Sequence, residues 1–400
     1  MKKYLEEKLL KRLDYFRETT DEEVLREIDD LFLSEEGIRL YTVEDRRRLK
    51  REIFFSLRRL DILQTLVEDP SITEIMINGP DQVFIEREGH MEKVAVKFES
   101  TDKLLQIIQR IVGDCNRTVN EVSPIVDARL RDGSRVNVVL SPVAINGPVV
   151  TIRKFPDKPV TMEQLLHWGS LTKEAAEEIE QWVRAGYNIF ISGGTGSGKT
   201  TFLNILSDFI PKEERVITIE DSAELQIQGI DNLIRLETRN QNVEGCHAIT
   251  IRDLIRSSLR MRPDRIIVGE VRGSEAVDMM TAFNTGHDGS MSTGHANSAA
   301  DMLSRLENMI LMGMDIPLTA VKQQIASAID IIIHLGRVRD KSRKVLEIAE
   351  VDGMAEGEIQ LHTLYRFTED LPVTEGRLGS LKKEGNLQHV EKLKAAGILI

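Results

Sequence analysis

The sequence predicts an α/β protein, with a larger C-terminal domain around a parallel sheet, a smaller α+β domain before it, and a helical region appended in front of both. Three observations predict it. Beyond Thr161, apolar runs of strand length alternate with amphipathic helical stretches, as in a parallel sheet covered on both faces. Within that part, Gly193, Gly198, Lys199 and Thr200 stand at the GxxxxGK[ST] spacing, between an apolar run and a helical one. Ahead of it, residues 70 to 155 carry alternating apolar segments broken by turn residues, the pattern of a small antiparallel sheet.

Residues 1 to 68 are charged and helical, as in DRRRLKREIFFSLRRLDILQTLVED, where apolar residues recur three and four apart. Arg46, Arg47, Arg48, Lys50 and Arg51 cluster there and read as a solvated helix face, with docking to acidic partners or lipid head groups as the alternative. Residues 69 to 155 follow. ITEIMINGPDQVFIEREGHMEKVAVKF has strands parted at Asn78-Gly79-Pro80-Asp81 and at Gly89-His90, and LLQIIQRIVGD is a helix. VDARLRDGSRVNVVLSP turns at Asp132-Gly133, and GPVVTIRKF adds a further strand. Residues 156 to 160, with Pro156 and Pro159, form a short stiff linker. The domain from 161 to 400 closes with VLEIAEVDG and EIQLHTLYRF as a strand pair, then from about Gly379 with a charged helix.

Four hundred residues, 41% hydrophobic and 30% charged, are enough for more than one core. The formal net charge of −12 argues against nucleic acid as a partner, because a phosphate backbone attracts a basic surface. No run approaches the roughly eighteen apolar residues of a membrane span. MKKYLEEKLLKRLDYF puts charge where a signal peptide is apolar, so a cytoplasmic location is expected. Cys115 and Cys246 stand outside any CxxC pair, which excludes a four-cysteine zinc element.

The most specific signal is NIFISGGTGSGKTTFLNILSDFI. Ile189 to Ile191 make a strand, and a helix opens at Lys199, with Phe202, Ile205, Leu206 and Phe209 on its apolar face and Pro211 ending it. Gly193, Gly194, Thr195, Gly196, Ser197 and Gly198 form the turn, where glycine lets the backbone approach phosphates so that successive N–H groups face them. Lys199, Thr200 and Thr201 open the helix. Lys199 reaches the β and γ phosphates and the Thr200 hydroxyl faces Mg²⁺, so ATP and Mg²⁺ are the expected ligands.

Two later strands end in acids. RVITIEDSAEL ends in Glu220-Asp221, with Glu224 close behind, and RPDRIIVGEVRG in Gly269-Glu270. Ligands of such a sheet gather at the carboxyl ends of its strands, so both acids can face the nucleotide. We assign Glu220 as the base that polarises water and Glu270 as the acid of the Mg²⁺ shell, partly through water, an assignment that the residues alone allow to be reversed. Transfer of a γ-phosphate needs further positive charge, and supplying it from a neighbouring subunit couples hydrolysis to assembly. Candidates are Arg129, Arg135 and Arg153 in the first domain, and Arg256, Arg260 and Arg262 in the second. TGHDGSMSTGHA adds His287 and His295. SMST reads as a strand, which puts His295 at its carboxyl end with Lys199, Glu220 and Glu270, positioned to sense a phosphate, while His287 braces the loop and a metal site is disfavoured.

These motifs and their order resemble the secretion and pilus-assembly ATPases of the type II and type IV systems, and most of all the CpaF/TadA branch of tight-adherence (Flp) pili. GGTGSGKTTFLN is similar to the family's Walker A, ITIEDSAELQ to its aspartate box, LRMRPDRIIVGEVRG to its Walker B, and TGHDGSMSTGHANS to its histidine box. SITEIMINGPDQVFIER, DARLRDGSRVNVV and AVKQQIASAIDIIIHL extend the resemblance over about residues 50 to 350. It implies a RecA-like P-loop ATPase domain moving against the smaller domain in a homohexamer, with ATP held between them and arginines supplied across domain or subunit boundaries. It also implies inner-membrane platform proteins as partners, action on pilin through them, and peripheral attachment to the inner face of the cytoplasmic membrane. Two departures stand out: Arg239-Asn240-Gln241-Asn242 where relatives carry paired prolines, and Gly294 where they carry a bulkier apolar residue. The missing zinc element, and a late QQIASAIDIII unlike the retraction motors' motif, favour the CpaF/TadA branch.

Overall fold

The computed structural model describes residues 1–13, 19–87, 89–115, 117–130, 132–155, 159–239, 247–374 and 377–398. Pro156, Asp157 and Lys158 of the linker, Cys246, and the loop from Asn240 lie outside the described residues. The chain divides into two units, 1–157 and 158–400. The first begins with helices α1 (Lys2–Arg12), α2 (Asp21–Ser34), α3 (Val43–Arg58) and α4 (Leu63–Glu68). Thr20 and Glu23 close a capping box on α2, and Thr42 caps α3. Leu5, Leu9, Val24, Ile28, Leu31, Leu49 and Ile53 close on one another as a core of their own. Three of the basic set are met by local acids, Lys50 by Asp29 at 2.6 Å, Arg51 by Glu68 at 2.5 Å and Arg48 by Asp45 at 3.4 Å, while Arg46 Nε donates to the Tyr41 carbonyl at 3.0 Å. Such exposed pairs contribute little energy, but they leave this face mixed in charge rather than uniformly basic.

The rest of this unit is an antiparallel sheet with one helix. Its strands are β1 (Ile72–Asn78), β2 (Val83–Arg87), β3 (His90–Val94), β4 (Ile125–Arg129), β5 (Arg135–Val139) and β6 (Val149–Arg153), in the order β3-β2-β1-β6-β5-β4. Helix α5 (Thr101–Asp114) buries Leu104, Ile107, Ile108 and Ile111 in one core with Ile75, Ile77, Val136, Val138, Val150 and Ile152. Side chains alternate across a strand, so the residues between those valines and isoleucines share the other face. There the register sets Arg129 opposite Arg135, Arg135 opposite Arg153, and Arg153 opposite Glu74.

The second unit opens with α6 (Met162–His167) and α7 (Lys173–Arg184) and continues through β7 (Ile189–Gly193), α8 (Lys199–Ser207), β8 (Val216–Glu220) and β9 (Leu233–Glu237). Then come α9 (Ile251–Ser258), β10 (Arg265–Val268), α10 (Ala276–Phe283), β11 (Met291–Gly294), α11 (Ala299–Gly313) and α12 (Leu318–Ala328). It closes with β12 (Ile331–Arg337), β13 (Arg343–Ala355), β14 (Glu358–Thr374), β15 (Arg377–Lys383) and α13 (Glu391–Ala395). One sheet takes all nine strands in the order β15-β14-β13-β12-β7-β11-β10-β8-β9. From β12 to β9 every neighbour is parallel, and β12 to β15 are antiparallel. Its central strands are buried on both faces, which is why they read as unbroken apolar runs: Ile189 and Ile191 join one core while Phe190 joins the other.

The C-terminal expectation needs correction. Where a strand pair and then a helix from about Gly379 were expected, β15 continues through Gly379 to Lys383 and only α13 is helical. Pairing decides this. Leu381 stands opposite Phe367 and is 5% exposed, so the segment gains an edge position and a buried leucine that its charged composition hides. Among the described residues, no helix is long and apolar enough to cross a membrane.

Candidate functional site

Because β12, β7, β11, β10 and β8 run parallel and side by side, their carboxyl ends form one rim. The phosphate loop follows β7, Glu220 ends β8, Glu270 lies two residues beyond β10, and His295 follows β11. Lys199, the first residue of α8, is buried. Its Nζ donates to the carbonyl oxygens of Gly193 and Gly194, each at 3.1 Å, and lies 3.1 Å from His295 Nδ1. On the other side of the ring, His295 Nε2 is 2.8 Å from Glu270 Oε1, a close contact off the ideal hydrogen-bond line. Arg272 Nη2 donates to the second oxygen, Oε2, at 2.7 Å.

An ammonium can only donate, so His295 Nδ1 accepts and the ring proton sits on Nε2, facing the carboxylate. Burial first, and then the charge of Lys199, hold the His295 pKa below its ordinary value, against the pull of Glu270. The phosphate loop, the histidine and the second acid are thus joined in one chain of contacts.

Glu220 stands apart from that chain and is more deeply buried, at 3% exposure. Its Oε1 accepts from the backbone N–H groups of Glu224 at 2.7 Å and Leu225 at 2.9 Å. Its Oε2 is buried and has no hydrogen-bond partner among the described residues. Burial raises its carboxyl pKa, and the two backbone bonds oppose that rise. A Cβ on Gly269 would lie 3.0 Å from Glu220 Cγ, so glycine is what lets β10 pass this side chain on the way to Glu270. One oxygen fixed and the other unsatisfied suit a group that takes a proton or faces a cation.

Among the described residues, no group of three or more His, Cys, Asp or Glu could hold a metal by itself. The oxygen donors present, Thr200 hydroxyl, Glu220 and Glu270, fit an ion such as Mg²⁺, which keeps several waters and is bound through one or two carboxylates together with phosphate oxygens. Gly194, Thr195 and Ser197 complete the loop, and Thr201 lies in the first turn of α8. Gly196 and Gly198 take φ of +68° and +95°, the left-handed region that favours glycine.

His287 lies at the amino end of β11, on the rim opposite His295. Its Nδ1 is 3.0 Å from the Ala282 carbonyl, and its own carbonyl accepts from Ser290 Oγ at 2.7 Å, so it braces the turn. Arg256 is tied to Asp278 at 2.8 Å, which links α9 to α10. Arg129, Arg135 and Arg153 belong to the first unit, as the cross-strand row described above.

Three residues escaped sequence reasoning. His334 on β12 is buried, with Nδ1 2.6 Å from Ser192 Oγ, directly before the phosphate loop. Arg337 and Arg343 both bond the loop at Gly196. No motif marks them, since they lie about 140 residues downstream in RVRDKSRK, and only the placement of β12 beside β7 brings them here.

The profile of the family described as "Type II/IV secretion system protein" matches residues 57–370. A putative conjugal transfer protein of Mycobacterium tuberculosis is 33% identical over 310 residues, covering 76% of this chain and 87% of that protein. The type IV secretion system protein VirB11 of Brucella suis is 31% identical over 322 residues, covering 74% and 89%. The pilus retraction motor PilT with bound ADP shares the fold, with a TM-score of 0.51 at 21% identity, covering 76% of this chain and 81% of that one. The chain belongs to the type II/IV secretion system protein family and is one of its ATPases.

Proposed function

We propose that this protein is a cytoplasmic, homohexameric motor of the CpaF/TadA type, which hydrolyses ATP to power pilus assembly or protein secretion through an inner-membrane platform. The observation that carries the reading is the Lys199–His295–Glu270 chain, which joins the phosphate loop to the acid rim through one neutral imidazole. Lys199 and the loop amides bind the β and γ phosphates. Glu220, with its raised pKa and unsatisfied oxygen, orients and accepts a proton from the attacking water. Glu270 and Thr200 would hold Mg²⁺, which when bound would offset the charge of the phosphates. His295 reports the γ-phosphate state to α11, which starts four residues later. Arg129, Arg135 and Arg153 add positive charge to phosphoryl transfer in the assembled motor; like charges set directly opposite across strands disfavour one another, and an anion relieves that.

The test is ATP turnover by the full chain and by Glu270→Gln. Removing a positioned catalytic group lowers turnover by about a hundredfold or more. A native rate in Glu270→Gln would sink the assignment. Turnover that rises with the cytosolic part of a platform protein, and not with DNA, supports a secretion motor over a nucleic-acid motor.

A further inference from the structure

The phosphate loop is gripped from outside by the β12–β13 hairpin. Arg337 ends β12, Arg343 begins β13, and the two stand opposite each other in register, so their guanidinium groups leave the hairpin side by side. Both converge on one atom. Arg337 Nε donates to the Gly196 carbonyl oxygen at 3.1 Å, and Arg343 Nε donates to the same oxygen at 3.0 Å. A Cβ on Gly196 would lie 2.7 Å from Arg337 Nη2, and one on Gly198 would lie 3.5 Å from Arg343 Cδ, so the loop's glycines leave room for this approach. Nearby charges are engaged elsewhere: Arg339 with Glu369 at 2.5 Å, and Lys344 with the carbonyls of Trp168 and Gly169 at 2.8 Å each.

Two donors on one acceptor fix the direction of that carbonyl, and in a planar trans peptide the carbonyl and the next N–H point in opposite directions. Two donors that hold the Gly196 carbonyl outward therefore turn the Ser197 N–H toward the inside of the loop. Among the described residues its one backbone bond there is long, 3.3 Å, to the Gly194 carbonyl. We infer that Arg337 and Arg343 are positioning residues of the phosphate loop, which fix the Gly196–Ser197 peptide so that its N–H meets the β-phosphate of a nucleotide. They also tie that peptide to β12 and β13 of the sheet's antiparallel extension. The inference rests on the reading that this loop takes nucleotide.

The experiment measures Mg·ADP and AMP binding by calorimetry to the full chain and to Arg337→Ala, Arg343→Ala, the double alanine variant, the double lysine variant and Lys199→Ala. Thermal melting confirms folding. Either arginine alone still holds the carbonyl, so each single change weakens ADP binding by less than about threefold, while the double change weakens it by about tenfold or more, as expected for losing charge-assisted hydrogen bonds. AMP has no β-phosphate and binds the double variant as it binds the native chain. The lysine pair keeps the charge but carries its donors one bond farther out, at Nζ, so it recovers at most part of the affinity. Native ADP affinity in the double alanine variant, equal loss for ADP and AMP, or full recovery in the lysine pair would each overturn the inference. Native ADP affinity in Lys199→Ala would instead overturn the nucleotide reading beneath it.

Discussion

His295 works in one tautomer, and that makes it testable. Its Nδ1 accepts from Lys199 while its Nε2 faces Glu270, so its removal separates the loop from the acid without emptying a core, the side chain being 32% exposed. His295→Ala therefore lowers single-turnover hydrolysis by about a hundredfold, with the melting temperature close to native. His295→Gln, which keeps an acceptor and a donor, regains part of the rate. A native rate together with intact assembly in His295→Ala would end the sensor role. Sequence reasoning reached this residue because SMST has the alternation and flanking glycines of a short strand, which fixes the rim on which the histidine falls. It reached Lys199 through the GxxxxGK[ST] spacing, and Glu220 and Glu270 because each stands at the end of an apolar strand. It could not see that Glu220 keeps one buried oxygen unsatisfied, or that Arg337 meets Gly196, because both depend on packing between segments far apart in the chain.

At the scale of elements, the short helix α13 is fastened by charge. Lys392 bonds Asp330 and Asp288 at 2.8 Å each; burial works against its charge, but the two aspartates outweigh it and raise its pKa. Just ahead, Gln388 and His389 give their backbone N–H groups to the buried Glu350, at 2.8 and 2.7 Å, and His389 Nδ1 donates to it at 2.9 Å. The bond to Glu350 is the main cause that raises the His389 pKa above 6.5, and Asp352 and Glu391 add to it. The folded state then binds the proton more tightly than the unfolded chain, so this stabilisation is fully present below about pH 6.5 and is lost as the pH rises through the raised value. Amide exchange over residues 386–398, corrected for its intrinsic pH dependence, is expected to be faster at pH 8.5 than at pH 6, and His389→Gln to remove the difference. Equal protection at both pH values would count against the latch. The sequence shows a charged tail here and no more, since a run of charges names neither its partners nor the edge that β15 occupies.

At the scale of the whole molecule, the proposed motor requires each nucleotide to draw on more than one chain. Arg129, Arg135 and Arg153 lie in one unit and the phosphate loop in the other, each unit with cores of its own. A γ-phosphate that takes its extra positive charge from a neighbouring subunit makes hydrolysis conditional on the ring, and loss of such an arginine costs about a thousandfold or more. Two inactive variants distinguish this from charge supplied within one chain: Arg135→Ala with Arg153→Ala, which keeps its loop, and Lys199→Ala, which keeps its arginines. Mixed and reassembled, they form some sites that combine an intact loop with intact arginines. Turnover of the mixture is then expected to exceed that of either variant alone, with the mass in ATP that of a hexamer. A mixture no more active than its components would place the arginines within their own chain or remove them from the chemistry, and a monomer at micromolar concentration in ATP would remove the ring.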